Sequence, residues 1–305
     1  FDLVHSHYWL SGRTGVRMKK ALGIPLANSF HTLGKVKDAL RGSSETASLP
    51  ERLLTEEEVI AASDCVIAST PFEFDDLLEH YSASPERLCV SPPGVDHSVF
   101  RPGDRRSARS ELGFGDERIV LYVGRIQSHK GTSTAVEALA ELPEYLDKGG
   151  GPIMLHIVGG ASGTDGDHEL EQCQAIVRTQ GLEGRVRWFD PVPHATLVKH
   201  YQASDVVLMP SRSETFGLVA AEAQACGVPV VASNTGGLPY VVKASETGLL
   251  VAGHDPRSFA AAVRAILDHP SFARRLSTEA EAFSQRFSWD ATARRMLELY
   301  EGISA

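Results

Sequence analysis

The sequence predicts an α/β chain made of two doubly wound domains, each built around a parallel sheet. Short apolar runs of strand type alternate with segments long enough for crossover helices. The length of 305 residues exceeds what one ordinary core requires. A stretch rich in Pro and Gly, 92–104, separates two series of such runs. We therefore expect a first domain at 1–103, a second at 104–285 and a C-terminal helix at 286–305.

The predicted strands are short, apolar and bounded by turn residues, as buried strands of parallel sheets are. The chain opens directly in one such run, 1–4. Further strands of the first domain are expected at 65–68 and 88–90, with helices at 53–62 and 72–80. Strands of the second domain are expected at 119–123, 153–158, 186–189, 206–209 and 228–232. The stretch 289–300 has the pattern of an amphipathic helix.

Charge and hydropathy exclude several classes of protein. The chain has 30 basic and 39 acidic residues, a net charge of −9, so no basic excess is available to neutralise a nucleic acid backbone. No apolar run reaches the ~18 residues that a membrane span needs. No stretch combines a strongly basic face with a large apolar one, as a membrane-surface helix would. The sequence therefore predicts a soluble enzyme.

The four cysteines, at 65, 89, 173 and 226, are scattered and form no Cys-x-x-Cys pair. They predict neither a disulfide framework nor a zinc site. Free thiols fit a reducing cytoplasm, which is the expected location. No helix carries the His-x-x-x-His spacing of a metal site, and the glycines at 159–163 do not meet the spacing of a dinucleotide fingerprint.

Two carboxylates flank the start of a predicted helix. Glu214 follows the run 206–209 in a strand-to-helix loop, and Glu222 lies on the helix after seven intervening residues. Ionised carboxylates only accept hydrogen bonds, so they suit the hydroxyls of a sugar and of a ribose. The plainer interpretation is a pair of solvated acids near a helix start, where negative charge gains ~0.3–1 kcal/mol.

The segment between the two acids predicts an anion site. The backbone amides of Thr215, Phe216, Gly217 and Leu218 would be the unpaired donors of the helix N-terminus, which favours a phosphate. Gly217 would let that ligand approach the backbone closely.

A second loop carries two cations after a predicted strand. Gly124 follows the run 119–123, and Arg125 and Lys130 stand five positions apart in the loop. Such a loop can turn both cations toward one diphosphate, with Arg as a planar fork and Lys as a point charge. The alternative is a pair of surface cations, but strand ends of open α/β sheets are where ligands bind.

Together these motifs resemble the GT-B glycosyltransferases of the retaining group called family 4, over nearly the whole chain. The motifs at 157–160, 234–239 and 247–251 add to the resemblance. It implies two Rossmann-like domains facing a cleft and a last helix that crosses back to the first domain. It also implies that Glu214 contacts the donor sugar and Glu222 the ribose hydroxyls, while Arg125 and Lys130 hold the diphosphate.

The segments 2–12, 31–37 and 253–256 resemble more closely the transferases of mycothiol synthesis, which move N-acetylglucosamine from a UDP donor to 1L-myo-inositol 1-phosphate. This resemblance implies that Tyr8, Thr32 and Arg52 bind the acceptor phosphate and that His31 lies beside the reacting sugar. The acceptor-binding Lys and the Gly-rich loop of that family have no counterpart here. We therefore expect a truncated N-terminal domain, and the polar segment 43–50 is expected to form a loop near the acceptor.

The implied mechanism is retaining transfer without a protein nucleophile, in which the departing diphosphate takes the proton of the acceptor. No metal cofactor is required, and Mg²⁺ is left open as an optional companion of the diphosphate. The expected partners are a UDP-sugar and a small phosphorylated acceptor, and a homodimer is left open. The alternatives are a related family 4 transferase with another acceptor, a GT-B sugar-nucleotide epimerase and a nucleotide-binding fragment without turnover.

Overall fold

The computed structural model describes residues 1–40, 47–146 and 150–304, so the first half of the loop predicted at 43–50 lies outside the described residues. The chain divides into two compact units. The first consists of Phe1–Gly94 together with Phe287–Ala305, and the second of Val95–Arg286. No helix in the described ranges is long and apolar enough to cross a membrane.

The first unit is built on a parallel sheet of four strands in the order β1-β2-β3-β4. The strands are β1 (Val4–His7), β2 (Leu26–Ser29), β3 (Cys65–Ala68) and β4 (Leu88–Val90). The helices of this unit are α1 (Tyr8–Leu22), α2 (Gly34–Ala39), α3 (Pro50–Ala62), α4 (Pro71–Tyr81) and, from the chain end, α13 (Trp289–Ser304).

Helices cover both faces of this sheet. On one face, Val16 of α1, Val59 of α3 and Leu77 of α4 pack with buried strand residues. On the other face, Leu299 of α13 joins Ala27, Cys65 and Ile67 in a second cluster. Successive side chains of a strand point to opposite faces, so short strands can supply both clusters. The apolar stripe of α13 is therefore buried against the first sheet.

The first strand begins at Val4, and the prediction of a strand at 1–4 was wrong. Val4 pairs with Leu26 and His7 with Ser29, so the register of β2 fixes where β1 starts and ends. Pro25 precedes β2, and the Phe1 side chain is fully exposed. Strand β2 was not predicted, because the polar Asn28 and Ser29 interrupt the apolar pattern expected of a buried strand. All four residues of β2 are nevertheless buried.

The second unit is built on a parallel sheet of six strands in the order β10-β9-β8-β5-β6-β7. The strands are β5 (Arg118–Val123), β6 (Ile153–Val158), β7 (Val186–Phe189), β8 (Val206–Met209), β9 (Val230–Ser233) and β10 (Gly248–Val251). The helices are α5 (Arg105–Leu112), α6 (Thr132–Ala140), α7 (Gly163–Thr179), α8 (His194–Ala203), α9 (Leu218–Ala225), α10 (Leu238–Val241), α11 (Pro256–Leu267) and α12 (Pro270–Ser284).

The strand order of this second sheet reverses at β5. From β5 the chain adds β6 and β7 on one side, then returns to place β8 on the other side of β5. In open α/β sheets, ligands bind at the carboxyl ends of the strands where the order reverses. The fold therefore points to the loops that follow β5 and β8. The strand predicted at 228–232 begins only at Val230, and β10 was not predicted as a strand.

One buried imidazole in β6 makes the stability of this unit depend on pH. The His156 side chain is fully buried, and within the described ranges neither ring nitrogen has a hydrogen-bond partner. Burial, and then the neighbouring Arg187 cation, lower its pKa from 6.5 to about 3. The unfolded chain binds a proton at this residue below pH 6.5 and the folded chain does not, so stability falls as the pH drops toward 3.

We expect His156→Leu to reduce this loss of stability in acid. Between pH 6 and 4, wild type should lose about 1.4 kcal/mol more per pH unit than the variant, because only the unfolded wild-type chain gains this proton. Urea unfolding at pH 7.5, 6 and 5 measures the free energy of unfolding of both proteins. At pH 7.5 the imidazole is neutral in the folded and unfolded chains, so the difference there reports the change in packing alone. Parallel stability curves for the two proteins would show that His156 has the same pKa in the folded and unfolded chains, and would contradict the lowered pKa.

Candidate active site

The loops that follow β5 and β8 pack directly on each other at the carboxyl edge of the second sheet. The Arg212 amide donates to the His129 carbonyl at 2.8 Å. Gly131 has a φ of 71°, and a Cβ there would lie 2.2 Å from the Pro210 carbonyl oxygen. Only glycine fits this position, and the contact fixes one loop against the other.

This packing brings two of the predicted site residues into contact. Lys130 Nζ lies 2.7 Å from Glu214 Oε2, and the two side chains are 21% and 17% exposed. The ammonium and the carboxylate neutralise each other, yet both are open to a ligand. A phosphate paired with Lys130 and a sugar hydroxyl hydrogen-bonded to Glu214 would therefore lie side by side.

Arg125 stands in the same loop with its guanidinium exposed and without a partner among the described residues. The backbone of this loop is hydrogen-bonded by Tyr122, a buried residue of β5. Tyr122 Oη lies 3.3 Å from the carbonyl oxygen of Arg125 and 3.4 Å from that of Lys130. It also accepts a hydrogen bond from Thr132 at 2.8 Å. Tyr122 was not among the predicted site residues, although a single phenol in an aliphatic strand was a visible signal.

Gly124 is where the loop after β5 meets the loop after β6. A Cβ on Gly159 would lie 1.8 Å from the Gly124 carbonyl oxygen. Both glycines have positive φ, 151° at Gly124 and 150° at Gly159. Gly159 allows the close approach of the two backbones, and Gly124 allows the positive φ at the start of the cationic loop.

The loop that carries Glu214 is also held from the side of β9. The Gly237 amide donates to the Glu214 carbonyl at 2.8 Å. A Cβ on Gly236 would lie 2.1 Å from the same carbonyl oxygen, and Gly236 has a φ of 50°. The motif at 234–239 thus supports Glu214 through the backbone.

The N-terminus of α9 follows Glu214, as the sequence predicts. The helix begins at Leu218 after Gly217, which has a φ of 105°. The first amides of a helix have no partner within it, so the N-terminus of α9 favours an anion. The Phe216 side chain is buried, and the Leu218 side chain is 43% exposed. Thr215 is half-buried in the loop.

Glu222 lies on α9 and is oriented by a residue that the sequence analysis missed. The fully buried Tyr201 donates from Oη to Glu222 Oε2 at 2.9 Å. Burial raises the pKa of Glu222, and the hydrogen bond from Tyr201 opposes that rise. The Glu222 carboxylate is thus partnered by Tyr201 rather than by Lys130, which pairs with Glu214.

The three predicted acceptor residues come together in the first unit. The Arg52 guanidinium carbon lies 5.5 Å from the centre of the Tyr8 ring. Arg52 Nη2 donates to the Thr32 carbonyl at 3.2 Å, and Nε donates to Glu56 at 2.7 Å. Glu56 is fully buried and was not predicted. The contact with Thr32 runs through its backbone rather than its hydroxyl.

Backbone strain marks the same region of the first unit. Tyr8 has a φ of 73° and His31 a φ of 62°, left-handed values that cost a residue other than glycine ~1–3 kcal/mol. His31 Nε2 lies 2.9 Å from His7 Nδ1. Partial desolvation, and then the His7 imidazole, lower the pKa of His31. His31 is therefore mainly uncharged at neutral pH.

Among the residues that the structure describes, no three His, Cys, Asp or Glu side chains are grouped so that they could hold a metal ion. The second unit instead offers cations and a helix N-terminus for an anion, with carboxylates for hydroxyls. The first unit offers Arg52 and Tyr8 for a second anionic ligand.

Two family models match the chain. One, described as "Glycosyl transferases group 1", matches residues 104–283. The other, described as "Glycosyltransferase Family 4", matches residues 1–99. The two matches fall on the two parallel-sheet regions described above.

Curated relatives cover nearly all of the chain. A protein of Catenulispora acidiphila named D-inositol 3-phosphate glycosyltransferase 2 is 42% identical over 98% of this chain and 70% of its own length. A protein of Acidothermus cellulolyticus named D-inositol 3-phosphate glycosyltransferase is 42% identical over 100% of this chain and 68% of its own length.

Solved structures match the fold. Sucrose-phosphate synthase from Thermosynechococcus elongatus is 35% identical, with a TM-score of 0.89 over 99% of this chain and 73% of that one. Anabaena Alr3699/HepE in complex with UDP and glucose is 21% identical, with a TM-score of 0.84 over 99% of this chain and 78% of that one. The second similarity concerns the fold alone.

Proposed function

Since the chain belongs to the group 1 glycosyltransferases and carries a family 4 domain in its first part, we propose that it moves N-acetylglucosamine from a UDP donor to an inositol phosphate, with retention. The enzyme class and the GT-B fold are the premise. The donor, the acceptor and the stereochemistry are the proposal.

The contact between Lys130 and Glu214, 2.7 Å long at the reversal point of the strand order, is the observation that carries the donor proposal. A diphosphate needs cations, and the sugar attached to it needs acceptors for its hydroxyls. Arg125 and the N-terminus of α9 add positive charge at the same edge of the sheet. Glu222 adds an acceptor for the ribose.

In the proposed reaction, an acceptor hydroxyl forms a bond to the anomeric carbon while the bond from that carbon to the diphosphate breaks. The departing diphosphate oxygen takes the proton of the hydroxyl, so no side chain has to act as the base. Lys130 and Arg125 stabilise the negative charge that develops on the diphosphate. Because cations of the chain do this, a bound Mg²⁺ is optional.

The acceptor proposal rests on the names of the relatives, D-inositol 3-phosphate glycosyltransferases, and on the cluster around Arg52. A phosphomonoester is a strong acceptor for a guanidinium fork. The guanidinium of Arg52 uses Nε for Glu56 and Nη2 for Thr32, which leaves further donors for a phosphate. We place the reaction in the cytoplasm, because the four cysteines are free thiols.

A transfer assay with product detection by mass spectrometry tests this proposal. UDP-N-acetylglucosamine is combined with D-inositol 3-phosphate, with unphosphorylated myo-inositol or with no acceptor. We expect the glycosylated inositol phosphate in the first mixture and little product in the second. A new UDP-sugar without acceptor would indicate an epimerase, and binding of UDP without any product would contradict the transferase proposal.

A second candidate is transfer to a phosphorylated sugar. It is favoured by the 35% identity to a protein whose name is sucrose-phosphate synthase. A phosphate-binding Arg52 would serve either acceptor, so the acceptor has to be identified by activity. The same assay with fructose 6-phosphate and several UDP-sugars separates the two candidates. The preferred acceptor is the one with the higher kcat/KM.

A further inference from the structure

A second charged cavity lies at the opposite edge of the second sheet. It has a volume of about 290 Å³ and is lined by residues at the amino ends of β5, β8 and β9 and by the first turns of α12. Strand β5 is six residues long, so its two ends are about 20 Å apart. The cavity is therefore separate from the loops that carry Lys130 and Glu214.

Positive charge dominates the lining of this cavity. Arg105, Arg118 and Arg274 contribute three guanidinium groups, and Asp205 contributes one carboxylate. The lining thus carries an excess of two positive charges in a chain whose net charge is −9. Like charges gathered around a concave surface attract an anion of matching charge.

Asp205 pairs closely with Arg105 but not with Arg118 or Arg274. Its two oxygens already accept from Arg105 at 2.7 Å, from Arg109 at 3.0 Å and from the Ile119 amide at 2.8 Å. Arg118 Nη1 reaches it only at 3.7 Å, and Arg118 Nε is buried without a hydrogen-bond partner among the residues that the structure describes. Buried donors in native proteins are normally paired, so an acceptor of hydrogen bonds would be stabilised at Arg118.

Arg274 gives the second reason to expect a ligand. It lies on α12 at the rim of the cavity, and across the described ranges its guanidinium has no hydrogen bond or ion pair. A purely structural cluster around Asp205 would need Arg105 and Arg109 but would not need Arg274. Ile266 and Leu267 at the end of α11 give the same cavity an apolar wall.

We propose that this cavity binds a small phosphomonoester, with the phosphate on Arg118 and Arg274 and the organic group against the wall of α11. Guanidinium groups bind phosphate oxygens through paired hydrogen bonds, and the volume suits a small ligand. The ligand would touch Gly227, just after α9, and the start of β5.

Calorimetric titration with inorganic phosphate and with glycerol 3-phosphate tests the proposal. Arg274→Gln is the main variant, because Arg274 is exposed and its replacement leaves the pairs of Asp205 intact. Loss of one charge-assisted contact should weaken binding about tenfold or more. Arg106→Gln, on the same helix as Arg105 but outside the cavity, is the matched control and should bind as wild type does.

The proposed donor and acceptor residues could also bind phosphate, so each titration is repeated in the Lys130→Ala and Arg52→Gln backgrounds. The phosphate binding that is lost in Arg274→Gln should persist in both backgrounds. Arg118→Gln should remove the same part of the binding. Glycerol, which lacks the phosphate, should not bind. Equal isotherms for wild type and Arg274→Gln, or loss of this part of the binding in the Lys130→Ala background, would overturn the proposal.

Discussion

Replacement of Lys130 by alanine is expected to lower the rate of sugar transfer by about 10²–10³-fold while the protein stays folded. Its ammonium is the cation beside Glu214. In the proposed reaction this cation stabilises the charge that develops on the leaving diphosphate. One preorganised donor of this kind contributes ~2.7–4 kcal/mol to a transition state. The Glu214 side chain is 17% exposed, so water can hydrate it once its partner is removed. Steady-state kinetics with saturating donor measures the effect.

Two further variants make the Lys130 result specific. Lys130→Arg keeps the charge but changes its shape, and it should recover part of the rate. Lys199→Ala removes a cation of the same unit that pairs with Glu111 at 3.1 Å, away from the proposed donor loops, and it should leave the rate unchanged. A Lys130→Ala enzyme with the wild-type rate would remove the diphosphate role.

The second large effect is expected for Glu222→Ala, which should weaken UDP binding by about 10–100-fold. Loss of a hydrogen bond between a carboxylate and a ribose hydroxyl costs ~1.5–3 kcal/mol of binding free energy. Tyr201 holds this carboxylate at 2.9 Å, so it is already oriented before the ligand arrives. Calorimetric titration with UDP gives the affinity directly.

A deoxygenated ligand tests whether the lost contact is the ribose. Wild type should bind 2′-deoxy-UDP or 3′-deoxy-UDP more weakly than UDP, whereas Glu222→Ala should bind UDP and the deoxygenated analogue alike. Glu171→Ala, an exposed acid of α7, is the control and should keep the wild-type preference. A Glu222→Ala protein that still discriminates between the ligands would show that another group holds the hydroxyl.

The strands and the helix start that carry the proposed donor residues were predicted correctly, because the information for them is local. An anion site is predicted by a strand that is followed, within one loop, by a glycine and two cations. This prediction needs no information about distant residues. The second acid and the helix start follow another strand in the same manner. Most strands of the second sheet were found for the same reason, since their apolar runs end at turn residues.

The features that the sequence did not reveal are contacts between distant residues. Lys130 and Glu214 were both assigned to a ligand, but nothing local showed that they would pair with each other across 84 positions. Tyr201 and Glu56 were missed because a lone Tyr or Glu has many ordinary roles. β2 was missed because polar residues in a four-residue strand hide the pattern, although tertiary packing buries them all.

A crystal structure of the protein with UDP is the most direct test of the central claim, that one pocket in the second unit holds a nucleoside diphosphate. We predict that Lys130 Nζ leaves Glu214 and lies about 2.7–2.9 Å from a diphosphate oxygen, with Glu222 on the ribose. A nucleotide bound elsewhere, with the ion pair of Lys130 and Glu214 unchanged, would contradict this account.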